Sequence, residues 1–326
     1  GVPVYYLSSG AALVPLGLAS TAWMPKGHYH DGLTVVFGGK VWYIGQLDTW
    51  GPGDDAYFVT SVLDDYSAAP VATGLTLQLP TPSGWDMAGA IGIKGALAVA
   101  INDSQRVSHS TAASFPAFVD QGAIEPDPSE GWTGGSSYLP GVVRGGAKLL
   151  PTTAGWLFAA SNAYGGLAVY RTTDTNGVTG WKRCSSSISA GAGQFYDGDA
   201  SATLYDVLTQ GNRCYLLGRR NGAAFLAIST DGGASWAKTA TGVQLWPYMH
   251  LMALGGGVVC AISQDGQWVA INDGVGTAWA EYRTVGLGRV PWRLVTRPRG
   301  GFFVDTSHGE DVVVHTSDSI NWSPVA

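Results

Sequence analysis

Residues 229–236, Ser-Thr-Asp-Gly-Gly-Ala-Ser-Trp, constrain the fold of this chain more than any other stretch. They follow Ala223-Ala224-Phe225-Leu226-Ala227-Ile228, an apolar run with the length and composition of a buried strand. An Asp-Gly pair after such a run reads as the tight turn of a β-hairpin. The Asp231 carboxylate can accept hydrogen bonds from its own turn, and glycine there supplies positive φ without a Cβ penalty. Trp236 then opens the next strand and packs back over the turn.

The turn recurs. Thr316-Ser317-Asp318-Ser319-Ile320-Asn321-Trp322 is a shorter copy, and a longer one leads from Asn272, Asp273 and Gly274 to Trp279. Asp174, Asn176 and Gly177 lead to Trp181 in a longer copy again. Ser110-Thr111-Ala112-Ala113-Ser114-Phe115 keeps the spacing with Thr for Asp and Phe for Trp, and Asp64-Asp65-Tyr66 is the most degenerate. The closing aromatics at 66, 115, 181, 236, 279 and 322 are 49, 66, 55, 43 and 43 residues apart. Short strands that recur at about 40–50 residues are the signature of propeller blades, with insertions where the spacing is longer.

Each unit divides into four strands. The fourth unit gives 205–209, 213–217, 224–229 and 236–239; the fifth gives 251–254, 258–262, 267–271 and 279–283; the sixth gives 292–296, 302–305, 312–316 and 322–325. The units begin near Leu33, Met87, Ala147, Tyr205, Leu251 and Trp292. The expectation is an all-β chain, one domain over 1–326, built as a six-bladed β-propeller. Residues 1–32 are expected to close the ring by adding a strand to the last blade, or to supply a seventh, degenerate blade, because an open ring leaves edges unpaired.

Composition agrees. The 47 glycines and 13 tryptophans, against 13% charged residues, suit short antiparallel strands joined by Gly-rich turns, and no stretch sustains a 3.6-residue apolar period. A net charge of −6 with no basic cluster argues against nucleic-acid binding. Residues 11–23 are interrupted by Pro15, Gly17 and Ser20 and have no basic leader, so neither a membrane span nor a signal peptide is expected. Cys184, Cys214 and Cys260 lie in strand-like runs without a metal-ligand spacing and read as buried free thiols, which leans toward a reducing compartment during folding.

The recurring turns resemble the Asp-box, or bacterial neuraminidase repeat, of sialidase-like β-propellers. The resemblance implies a structural role for Ser229, Asp231, Gly233 and Trp236, and for Asp318, Trp322, Asp273, Trp279, Asp174 and Trp181. It also implies that these turns lie on the rim away from the usual binding face. It does not extend to catalysis. Sialidases clamp the substrate carboxylate with three arginines, the first in an Arg-Ile-Pro type motif ahead of the first box, whereas no arginine precedes Arg106 here. Val290-Pro291-Trp292-Arg293 stands too late to substitute, and lysine does not replace a bidentate guanidinium.

An aromatic stands just before the first strand of each unit: Tyr29, Trp85, Tyr138, Tyr196, Tyr248 and Trp292, joined by Trp246 and Asp197. Six such positions at blade spacing would ring one rim, where aromatic faces beside polar groups suit a sugar. The same residues would serve equally as wedges between blades. The connections 119–145 and 185–202 are long, and 46–57 carries Trp50, Asp54 and Asp55, so these are candidate contact loops.

Low charge, many Gly and Trp residues, degenerate repeats and unpaired cysteines look similar to bacteriophage tail-fibre or receptor-binding components. The expected function is non-catalytic: binding a cell-surface glycan or docking against another virion or cell-surface protein, in a virion tail or outside the cell, without metal or cofactor. The rival is a secreted glycoside hydrolase of non-sialidase type. It would draw two carboxylates from Asp54, Asp55, Asp197, Asp199, Glu130 and Glu310. His28 and His30 are the one close histidine pair and lack a third ligand in the sequence nearby.

Overall fold

The computed structural model describes residues 2–7, 13–19, 28–48, 56–63, 71–76, 90–101, 105–130, 148–161, 167–184, 202–220, 223–239, 248–255, 257–263, 265–287, 293–297, 300–305, 312–316 and 318–324. The chain divides into two compact units, Gly1–Leu139 with Asn176–Gly180, and Pro140–Thr175 with Trp181–Ala326.

In the first unit, β1 (Val2–Leu7) and β2 (Leu13–Ala19) pair with each other in a two-stranded sheet. The first four-stranded sheet is β3 (His28–Phe37), β4 (Lys40–Asp48), β5 (Ala56–Leu63) and β6 (Val71–Thr76). The second is β7 (Ala90–Lys94), β8 (Leu97–Ile101), β9 (Arg106–Thr111) and β10 (Val119–Ala123).

The second unit holds four such sheets. The third sheet comprises β11 (Lys148–Pro151), β12 (Trp156–Ser161), β13 (Leu167–Thr172) and β14 (Lys182–Arg183). The fourth comprises β15 (Ala202–Gln210), β16 (Arg213–Arg220), β17 (Ala223–Ser229) and β18 (Ala237–Thr239). The fifth comprises β19 (Tyr248–Gly255), β20 (Val258–Ser263), β21 (Trp268–Asn272) and β22 (Ala280–Arg283). The sixth comprises β23 (Arg293–Arg297), β24 (Gly300–Asp305), β25 (Val312–Thr316) and β26 (Ser323–Pro324). All pair antiparallel in sequence order, so among the described residues there are six four-stranded meanders.

Several boundaries differ from the sequence reading: β15 and β19 each begin three residues early, at Ala202 and Tyr248, and two further differences bear on the candidate contact segments. The first sheet starts at His28 rather than near Leu33, because a register shift between His30 and Leu33 carries β3 through Asp31-Gly32, which reads as a turn in sequence. Tyr29 therefore sits inside a strand. Likewise, residues 119–123 are the fourth strand of the second sheet and not part of a connection, since strand alternation is hidden in the polar run Val119-Asp120-Gln121-Gly122.

Period-2 alternation builds the core. In β16, Cys214 and Leu216 join a cluster with Leu157 and Ala159 of the third sheet, while Tyr215 and Leu217 join one with Leu251, Val259 and Ala261 of the fifth. In β20, Cys260 and Ile262 face Val314 and Trp322 of the sixth sheet. Central strands covered on both faces are necessarily apolar at every position, as Cys214-Tyr215-Leu216-Leu217 is. In the first unit, Phe37 and Trp42 pack on Ile91, Ala98, Ala100, Phe115 and Phe118 in the same way.

The three thiols are buried in these clusters. Burial pushes Cys214 and Cys260 up to about 12, and pushes Cys184 higher still. The native protein should therefore react with none of its cysteines toward a thiol reagent at pH 8, and with all three in denaturant. Rapid native labelling of any one would contradict this packing.

Candidate functional site

Strand order gives each sheet two distinct ends. The first-to-second and third-to-fourth turns share one end; the second-to-third turn and the start of the first strand share the other. The turns bearing Asp174, Asp231, Asp273 and Asp318 lie at the former.

At residues 229–236 the turn is saturated. Asp231 Oδ1 accepts from Ser229 Oγ at 2.7 Å and from the Ser235 N–H at 2.9 Å, and Ser235 Oγ donates to Oδ2. Ser229 Oγ accepts from the Gly233 N–H at 2.8 Å, and Trp236 Nε1 donates to Gly233 O at 3.1 Å. Gly233 has φ +89°, and a Cβ there would lie 2.6 Å from Leu157 Cδ1, so both backbone and packing demand glycine. The Trp236 ring is buried in the cluster shared with the third sheet. The turn thus does more than close a hairpin: its tryptophan wedges the preceding sheet.

Residues 316–322 repeat the network. Asp318 accepts from the Ile320 and Asn321 N–H groups, at 2.9 and 2.7 Å, and from the Asn321 amide, while Trp322 Nε1 donates to Ser319 O at 3.0 Å. Asp174 donates its N–H to Thr172 Oγ1 at 2.9 Å, and Trp181 is buried against Phe158 with ring centroids 6.3 Å apart.

The fifth sheet departs from the pattern. Asn272, fully buried at the last position of β21, occupies the place of Ser229, and its side chain bonds Gly274 N, Gly276 O and Ala278 O. Asp273 lies one residue off the Asp231 position and is exposed, accepting from the Val275 and Gly276 N–H groups. Trp279 Nε1 is buried without a hydrogen-bond partner among the described residues, unlike the indoles of Trp236 and Trp322. Arg213 of the fourth sheet closes this loop by donating to Val275 O and Gly276 O, at 3.2 and 2.6 Å. The spacing between Asp273 and Trp279 marks this turn as degenerate in the sequence, without showing which side chain replaces Ser229.

Burial raises the Asp231 carboxyl, but hydrogen bonds from Ser235, Ser229 and Ala234 outweigh it and hold the group below the usual carboxylate range. Asp318 behaves alike: burial raises it, and Asn321, Ile320 and Thr316 lower it further. A depressed folded value means the unfolded chain binds protons first as pH falls. The stabilisation is complete above about pH 4 and is lost below it. Melting curves of wild type and Asp231→Asn should therefore differ at pH 7 and converge toward pH 2. A gap that stays constant across that range would show that the carboxylate charge contributes nothing.

Two ties were invisible in sequence. Asp206 is buried in β15 at a register shift, pairs with Lys148 Nζ of β11, and accepts from Val207 N and from Leu251 N of β19, both at 2.8 Å. One carboxylate thus joins the first strands of three successive sheets. Second, the residue two places past an outer strand bonds into the next Asp-bearing turn: Val285 N to Ile320 O and Trp322 N to Val285 O in the second unit, at 2.8 Å each, and Glu125 N to Val178 O in the first, at 2.9 Å. Gly286, φ +81°, permits the former, since a Cβ would meet Trp322 O at 2.2 Å.

Two of the residues expected on a rim lie at the other end of their own sheets. Tyr29 pairs with Leu47 at the start of β3, and Tyr248, expected in a connection, opens β19 opposite Ser263. Trp85, Tyr138, Tyr196, Asp197, Trp246 and Trp292 lie outside the described residues, as do Trp50, Asp54, Asp55, Asp199, Glu310, and the degenerate Asp64-Asp65-Tyr66. Sequence reading missed a further turn here, Ser263, Asp265, Gly266, Gln267 and Trp268. Ser263 Oγ donates to Asp265 Oδ1 at 2.6 Å and accepts from Trp268 N at 2.9 Å. The Ser-x-Asp-Gly-x-Trp spacing was the available signal. Among the described residues no group of three His, Cys, Asp or Glu could hold a metal, and no helix is long and apolar enough to cross a membrane.

No protein-family model and no curated protein matches this chain. Among solved structures it is similar to YCF48 bound to D1 peptide, at 12% identity, covering 88% of this chain and 79% of that one with TM-score 0.53. It is similar to the GH74 xyloglucanase from Xanthomonas campestris, at 13% identity, covering 89% and 44% with TM-score 0.52. It is also similar to the catalytically inactive virginiamycin B lyase from Staphylococcus aureus with quinupristin, at 10% identity, covering 91% and 88% with TM-score 0.52. With the four-stranded antiparallel sheets, these likenesses support a β-propeller fold. They carry no activity over to this chain.

Proposed function

We propose that this chain is a single six-bladed β-propeller of the Asp-box kind, acting as a non-catalytic binding module of a virion tail or an extracellular surface. Its contact surface is the rim bearing Tyr29, Trp85, Tyr138, Tyr196, Asp197, Trp246, Tyr248 and Trp292, and its ligand is a cell-surface glycan. The observation that carries this reading is the asymmetry of the sheets. The carboxylates of Asp231 and Asp318 are consumed by their own turns at one end, while Tyr29 and Tyr248 lie in the first residues of first strands at the other. Aromatic residues that recur at the mouths of such sheets suit stacking on sugar C–H faces.

A protein partner is the second reading, favoured by the likeness to YCF48 bound to D1 peptide. A glycan array separates the two. Wild-type binding that disappears in a Tyr196→Ala/Trp246→Ala double variant supports the rim; silence of the wild type on every glycan leaves docking against a protein. Turnover of a bound polysaccharide that stops in Asp197→Asn would overturn the non-catalytic reading.

A further inference from the structure

At the end of the fifth sheet away from Asp273, four residues form one row across the strands. Tyr248 pairs with Ser263, and Trp268 pairs with Arg283. Because Ile262 pairs with Val269, Ser263 and Trp268 are the next opposed positions. Ile262 and Val269 face the sixth sheet, whereas Trp268 packs on the other face, against the cluster shared with the fourth sheet. Directly opposed residues share a face with Cβ atoms about 4.5–5.5 Å apart, so Arg283 and Trp268 lie side by side.

The row is tied by hydrogen bonds at its centre and exposed at its outer end. Ser263 is fully buried and bonds both Asp265 and Trp268. Thr284 locks the turn from the outer strand, its N–H donating to Gln267 O at 2.9 Å and its Oγ1 to Gly266 O. Trp268 is half-buried, and Arg283 is exposed on the edge strand. Arg106 pairs with Asp120 and Arg213 is held by four acceptors, but Arg283 has no hydrogen-bond or ion-pair partner among the described residues. The guanidinium of Arg283 thus stands beside the indole of Trp268 with no acceptor for it among the described residues, in a chain of net charge −6.

We propose that this row is an anchoring subsite for a carboxylate-bearing saccharide, with the indole of Trp268 under the sugar ring and the Arg283 fork on its carboxylate. It rests on the reading that this rim binds a glycan. The test is a glycan array that holds uronic-acid oligosaccharides beside their methyl esters and neutral glycans. Wild type should favour the free acids over the esters by about tenfold, the worth of one charge-assisted contact. Arg283→Gln should abolish that preference while neutral glycans still bind, and Trp268→Leu, which keeps the packing below, should weaken acid and ester alike. Equal binding of acid and ester, or a preference that survives Arg283→Gln, overturns the subsite and leaves the glycan reading standing. Silence on every glycan, including when acidic peptides bind instead, overturns both.

Discussion

Trp236→Ala should destabilise the protein by about 3–5 kcal/mol, as loss of a large buried ring from a packed interior does. The ring is 2% exposed and sits between the fourth sheet and Leu157, Val169 and Cys184 of the third, so its removal opens a cavity between two sheets. Trp236→Phe keeps much of the apolar burial and loses the indole bond to Gly233 O, so its cost should fall nearer 1–2 kcal/mol. Urea unfolding midpoints for the two variants check both numbers. If alanine costs no more than phenylalanine, the tryptophan is a turn-closing donor alone and not a wedge.

Asp206→Ala should cost about 2–4 kcal/mol, because it strands the buried N–H groups of Val207 and Leu251 and leaves Lys148 without its partner. Lys148 is 46% exposed and can return to water, which keeps the loss below that of a fully buried ion pair. Asp206→Asn retains one acceptor oxygen but must turn its NH2 toward either Lys148 or a backbone N–H, so it should fall between wild type and alanine. The readout is thermal unfolding followed by near-ultraviolet circular dichroism. Wild-type stability in Asp206→Ala would mean that water satisfies those amides.

Much of the fold was legible because strand and turn signals are local. The run 223–229, the Asp-Gly turn after it and the closing Trp236 depend on neighbours within a dozen residues, and the observed β17 and β18 bounds follow the pattern closely. The same locality misplaced Asp273. Spacing alone cannot tell that Asn272 has moved into the Ser229 position, since that is decided by which side chain is buried when the sheet packs.

The turns at residues 229–236 and 316–322 were thus determined by the sequence itself, and a hairpin before Trp279 with them: a periodic pattern of apolar runs and Asp-bearing turns admits short antiparallel meanders and little else. What only the tertiary structure decided are the long-range groupings: Asp206 between β11 and β19, Val285 in the next turn, and Trp268 beside Arg283. These join positions from 15 to 58 residues apart through hydrogen bonds and register. Neither has a one-dimensional period, so no spacing in the chain announces them.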